Sequence, residues 1–183
     1  RATIILALAV AGLLASSSAQ AATLYWNEFS SVGTQQIDDA TGVLSGSASA
    51  VANSGGCRGD YSWSANSTRY YAASSNTICQ GNLDGTAPTS TTLVTTDCAS
   101  HSGPAAIYAT DQYVYYLCRD GLWVGRVNVD GTDHRPQFAT TGGDTMWYPL
   151  AMTSDANWLY VAVAGDGTIR RFPIGGGLID RAF

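Results

Sequence analysis

After residue 22 the chain runs in short stretches that alternate apolar and polar positions with a period of two, each stopping at turn residues. That is the pattern of half-buried strands. The clearest stretch is 105–140. Residues 105–110 predict one strand, closed by Asp111-Gln112, and residues 113–118 predict a second, rich in aromatic and β-branched side chains. Arg119-Asp120-Gly121 reads as a tight turn, because Asp-Gly tolerates positive φ. Residues 122–129 predict a third strand, with Leu122, Val124, Arg126 and Asn128 alternating against Trp123, Gly125, Val127 and Val129. Asp130-Gly131 turns again. Residues 135–140 then predict a fourth, more polar strand whose Pro136 suits a sheet edge.

The same plan recurs. Strands are predicted at 150–154, 158–164, 168–174 and from 178 onward, and more loosely at 61–65, 69–73, 78–83 and 90–95. A first copy begins at Leu24 without an opening strand. Residues 45–56, rich in Ser, Ala and Gly, read as a loop between copies. No sustained 3.6-residue pattern follows residue 22. Two landmarks fix the period. Tyr25, Tyr71, Tyr116 and Tyr160 are 46, 45 and 44 residues apart; Gly42, Gly85, Gly131 and Gly176 are 43, 46 and 45 apart. A strand-bearing period of about 40–50 residues is that of propeller blades. The expected fold is therefore all-β: a β-propeller of four-stranded antiparallel blades, with about four blades at 22–50, 57–96, 104–141 and 148–183.

Residues 1–21 differ. Arg1 precedes an apolar run from Ala2 to Ala15, and Ala19-Gln20-Ala21 offers a small-x-small end. These are the parts of a secretory signal. The run is shorter than the ~20 residues that span a bilayer. A secreted, periplasmic or cell-surface protein with no membrane span after signal removal is expected. In an oxidising compartment the four cysteines would pair. Of three pairings, Cys57–Cys79 and Cys98–Cys118 are expected, since each lies within one repeat. No C-x-x-C occurs and the two histidines lie far from any paired spacing, so neither a metal nor another cofactor is expected.

Composition narrows the function. The charged share is 13%, about half the usual ~25%, as stacked sheets with apolar faces require. The net charge of −5 disfavours nucleic acid as a partner. All nine basic residues are Arg, which removes Schiff-base chemistry and the phosphate-loop lysine.

Leu24-Tyr25-Trp26-Asn27, Asp155 to Tyr160 and Asn128-Val129-Asp130-Gly131-Thr132 resemble the YWTD repeat of low-density-lipoprotein-receptor propellers. They are similar also to the six-bladed, TolB-like repeats of bacterial secreted proteins. The resemblance covers residues 22–183 and implies a six-bladed ring, of which this chain would be the N-terminal part. Such rings serve as adhesion modules, receptors and enzymes alike.

In a propeller, the inter-blade connections share one face with the turns between second and third strands. Here those connections, near 50–60, 97–104 and 141–149, would bring Arg58, Asp60, His101, Asp144 and Trp147 to one channel mouth. A cation, carboxylates, an imidazole and an aromatic plate suit a polar ligand, a glycan or a protein. No catalytic residue is expected. His101 has no nucleophile at a recognisable spacing, and no G-x-S-x-G is present. The alternative is a propeller hydrolase or lyase with its chemistry in the channel. The expected inner strands offer Tyr61, Trp63, Ile107, Tyr108, Leu150 and Met152, which lowers it. A third reading is a purely structural surface repeat. The oligomeric state is left open.

The remaining motifs have plainer readings. Arg58-Gly59-Asp60 matches an adhesion triplet of a kind that arises freely. Asp84-Gly85 and Asp130-Gly131-Thr132-Asp133 read as turns, because a calcium loop needs a closing Glu and the only Glu is Glu28. His134 is expected at the outer surface. Asp111 and Asp155 are expected to close the first hairpins of their repeats. Asn66-Ser67-Thr68 fits the glycosylation pattern at a turn.

Overall fold

The computed structural model describes residues 22–28, 31–37, 43–53, 62–86, 91–98, 103–119, 121–144, 146 and 148–180. They form four sheets. Blade 1 is β1 (Ala22–Glu28), β2 (Ser31–Ile37) and β3 (Leu44–Asn53), in that order. Blade 2 is β4 (Trp63–Ala65), β5 (Arg69–Ser74), β6 (Thr77–Asn82) and β7 (Thr91–Thr95). Blade 3 is β8 (Pro104–Ala109), β9 (Tyr113–Cys118), β10 (Trp123–Asn128) and β11 (Arg135–Thr140). Blade 4 is β12 (Pro149–Ser154), β13 (Trp158–Val163) and β14 (Thr168–Pro173). Neighbouring strands within these four groups are antiparallel. No helix among the described residues is long and apolar enough to cross a membrane.

Strand parity builds the core. On β9, Val114, Tyr116 and Cys118 face blade 2, where they meet Tyr71, Ala73 and Ile78. Tyr115 and Leu117 face blade 4, where they meet Leu159, Val161, Val163 and Phe172. Tyr71, Tyr116 and Phe172 are at most 1% exposed. Burying each such side chain stabilises by about 1.5–3 kcal/mol, so blades 2, 3 and 4 are held face to face mainly by these two clusters.

Four details differ from the sequence reading. Residues 44–53 are a strand, not a loop. Small Ser, Ala and Gly side chains carry little strand preference, and the ladder to β2 decides instead. The repeat tyrosine of blade 3 is Tyr115, not Tyr116. Tyr71, Tyr115 and Tyr160 pair with Gln80, Arg126 and Arg171 at equivalent places, whereas Tyr116 points the opposite way. The first hairpins are capped by Asn66, Thr110 and Asp155, each five residues before its tyrosine. Asp111 is not a cap. It accepts from the amide and the hydroxyl of Ser67 and so joins blade 3 to blade 2.

The fourth difference is β15 (Gly177–Leu178). It does not complete blade 4 but runs parallel to β11, on the outer edge of blade 3. Gly176 and Gly177 take φ of 92° and 115° and turn the chain away from β14. Ile179 then enters the core between blades 3 and 4, and its amide donates to the Thr140 carbonyl. Asp180 bridges back to Arg171.

Candidate functional site

The turns between second and third strands and the inter-blade connections share one face. Each described connection is tied to such a turn. Thr96 donates through its amide and its hydroxyl to the carbonyl of Asn76, and Cys98 is disulfide-bonded to Cys118 at the end of β9. The amides of Thr141 and Met146 donate to the carbonyls of Leu122 and Gly121. The amide of Ala164, in the next turn, donates to the Tyr148 carbonyl. Loops fixed to a scaffold in this way can hold side chains in place for binding.

Two side chains stand out on this face. The Arg119 guanidinium lies over the Tyr148 ring, 4.8 Å from its centroid. Tyr148 is 48% exposed and has a φ of 55°. A bulky residue rarely adopts that conformation, and before a proline the chain ordinarily runs extended. The sequence reading missed both residues. Arg119 was hidden in a turn signal, and Tyr148 stood beside the more conspicuous Trp147.

Of the residues expected at the mouth, Asp144 lies in the same connection, half-buried and with an interaction partner. Arg58, Asp60, His101 and Trp147 lie outside the described residues, and with them the Arg-Gly-Asp triplet. Cys98–Cys118 is the expected disulfide. Cys79 is disulfide-bonded too, while its expected partner Cys57 lies outside the described residues.

A second polar group sits beside the disulfide. The Tyr116 hydroxyl is 2.7 Å from His134 Nε2 and 3.4 Å from Asp97 Oδ1, and Trp123 Nε1 donates to Asp97 Oδ2 at 3.3 Å. Burial pushes the Tyr116 phenol up, so it stays protonated. His134 is therefore not a plain surface residue: it partners a phenol in the blade 2–blade 3 core. Gly125 makes room for this, since a Cβ there would lie 2.1 Å from Tyr116 Cζ. Asp97 and the two cysteine sulfurs lie within 4.8 Å of one another, but the sulfurs are bonded together and offer no thiolate to a metal.

The remaining motifs are structural. Asp84, Asp130 and Asp166 each accept from the hydroxyl and amide of the Thr two residues on, the turn bonding expected at the first two. Asn66 Nδ2 donates to the Thr110 carbonyl and the Tyr71 hydroxyl, so the amide that a glycan would occupy is already engaged.

These turns make stability acid-sensitive. Hydrogen bonds from Thr86, Thr132 and Thr168 hold Asp84, Asp130 and Asp166 below the usual 3.8. The amide of Asn157 does the same for Asp155, and Arg135 for Asp133. A carboxylate lowered on folding stabilises above its unfolded value, and that stability is lost as pH falls through the folded value. Urea midpoints are expected to be level above about pH 5 and to drop below about pH 4. A midpoint unchanged at pH 3 would contradict this.

Stacked antiparallel sheets with apolar contacts between their faces make the chain a β-propeller. Solved structures similar to it include the computationally designed Ika8 protein, with a TM-score of 0.55 and 18% identity over 86% of this chain and 47% of that one. A nidogen/laminin complex matches with a TM-score of 0.50 and 15% identity, over 83% of this chain and 72% of that one. The designed Ika4 protein matches with a TM-score of 0.50 and 14% identity, over 90% and 99%. The chain thus spans about half the length of Ika8. At these identities the likeness is one of fold. No protein-family model and no curated protein matches the sequence.

Proposed function

We propose that this chain is an exported β-propeller acting as a binding module, which takes a polar ligand, a glycan or a protein on the turn-and-connection face. Residues 1–21 serve as the export signal, Cys57 pairs with Cys79, and the ring has the six blades that the YWTD resemblance implies. The outer face of blade 4 supports a ring larger than four blades. Ile169 is 58% exposed there, whereas its blade 3 equivalent, Val124, is 0% exposed beneath the next sheet. The nidogen/laminin structure is a complex of two proteins, which supports protein as one partner class.

The observation that carries the reading is the Arg119–Tyr148 pair, an accessible aromatic and a cation on loops stapled to a rigid scaffold. The proposed ligand-binding set also includes Arg58, Asp60, His101, Asp144 and Trp147, from the connections that chain order assigns to that face. The test is a glycan array and a secreted-protein library probed with the mature, oxidised chain. A captured ligand should be lost with Tyr148→Ala while the thermal melt stays cooperative. A ligand kept by that variant, and lost when the opposite-face turn at Asp155 is altered, would contradict the reading. Turnover of the captured ligand would point instead to the hydrolase or lyase alternative.

A further inference from the structure

Every described arginine but Arg119 has at least one side-chain or carbonyl acceptor, and Arg126 keeps one buried nitrogen, Nε, without a partner. Arg126 and Arg135 share Asp133, Arg170 pairs with Asp166, and Arg171 pairs with Asp180. Arg69 donates to the Gln80 side chain and the Val129 carbonyl. Arg119 differs. Among the described residues the one partner of its guanidinium is the Tyr148 ring, and no carboxylate or carbonyl accepts from it. A guanidinium carries five N–H donors, and here it lies over an aromatic ring on the turn-and-connection face. Tyr148 sits in a strained backbone position, fixed by the hydrogen bond from Ala164. Strain of this kind persists where the surroundings enforce it, and it clusters at ligand clamps.

Building on the binding-module reading, we infer that Arg119 and Tyr148 form a subsite for one carboxylate of a uronate-bearing saccharide. A guanidinium fork matches a carboxylate with two parallel hydrogen bonds. Arg119 covers one side of the Tyr148 ring, and the exposed remainder offers a flat surface to the apolar face of a sugar. The ligand carries few charges. A chain of net charge −5 repels a dense polyanion, and Arg119, the one described arginine whose side chain has no acceptor, takes a single carboxylate. A saccharide with an isolated uronate meets both conditions, whereas a glutamate-rich peptide meets neither.

The test is calorimetric titration of the mature, oxidised chain with three probes. They are a hexasaccharide ending in one glucuronate, the same saccharide with its carboxyl reduced to the alcohol, and a tetraglutamate peptide. The uronate saccharide should bind, and carboxyl reduction should weaken it by about 10- to 100-fold, the range for a charged hydrogen bond. Arg119→Gln should weaken the uronate probe similarly and leave the reduced probe unchanged, while Arg119→Lys should fall between. Tyr148→Ala should weaken both saccharides. Thermal melts of each variant separate lost binding from lost folding, and Arg119→Lys supplies a second variant should the glutamine fail to fold. Equal affinity for the two saccharides, indifference to Arg119→Gln, preference for the peptide, or no uronate binding would each overturn the inference. Two of these outcomes leave the binding-module reading standing: saccharide binding that needs Tyr148 but not the carboxylate, and peptide binding at the same face. Loss of the broader reading shows separately, as an array and library screen with no ligand sensitive to this face.

Discussion

Gly103→Ala is expected to destabilise the chain more than the same change at Gly131, Gly143 or Gly167, by about 4 kcal/mol in all, because backbone strain and overpacking add. Gly103 ends the connection from blade 2 to blade 3 and has a φ of 94°. A Cβ there would lie 1.6 Å from the Ser75 carbonyl oxygen and 2.7 Å from its carbon. Both are backbone atoms of the turn between β5 and β6, so no rotamer change relieves the clash. Gly143 is the control. Its φ is 101°, but nothing lies within 4 Å of an added Cβ. Gly143→Ala should therefore show the strain alone, about 1–3 kcal/mol. Urea denaturation of the two variants checks this. Equal losses would mean that the connection does not pack on the turn.

Removing the Cys98–Cys118 disulfide has the second largest expected effect. The bond closes a sequence separation of 20 residues. A loop of that size gives about 3 kcal/mol of stabilisation in the chain-entropy model. Replacing both cysteines by alanine leaves no unpaired thiol behind, and both sites are buried. The melting temperature should fall by about 6–12 °C, at 2–4 °C per kcal/mol for a chain of this size. A shift of under about 2 °C would show that the reference chain is restrained by other means. The substitution should also free Asp97, the residue before Cys98, from Tyr116 and Trp123. Calorimetry under non-reducing conditions reads the stability. Tryptophan emission reads the loosening around Trp123.

The strands of blades 2, 3 and 4 were legible because period-two patterning and Asp-Gly turns act locally. Residues 113–118 and 135–140 form strands with the bounds expected. β3 was not legible, since Ser-Ala-Gly sequence has no strand signature and its ladder partner β2 lies across a turn. β15 was misassigned for a related reason. The pattern from Leu178 onward fits a strand but does not name its partner, and burial of Ile179 selects β11. Tyr115 and Tyr116 are adjacent and identical, so spacing alone offered either as the repeat tyrosine. The parity set by Tyr108 and Arg126 chooses Tyr115. At the mouth, chain order located the connection but not which of its side chains would remain accessible. Arg119 emerges only when each arginine is matched with an acceptor, and Tyr148 only when its backbone conformation is known.

Differential hydrogen exchange on the mature, oxidised chain, with and without the glucuronate-ended hexasaccharide, tests most directly where this propeller binds. Protection confined to residues 119–122 and 141–149 is the expected result. Protection at the opposite turns, around 110–112 and 155–157, or none at ligand saturation, would contradict it.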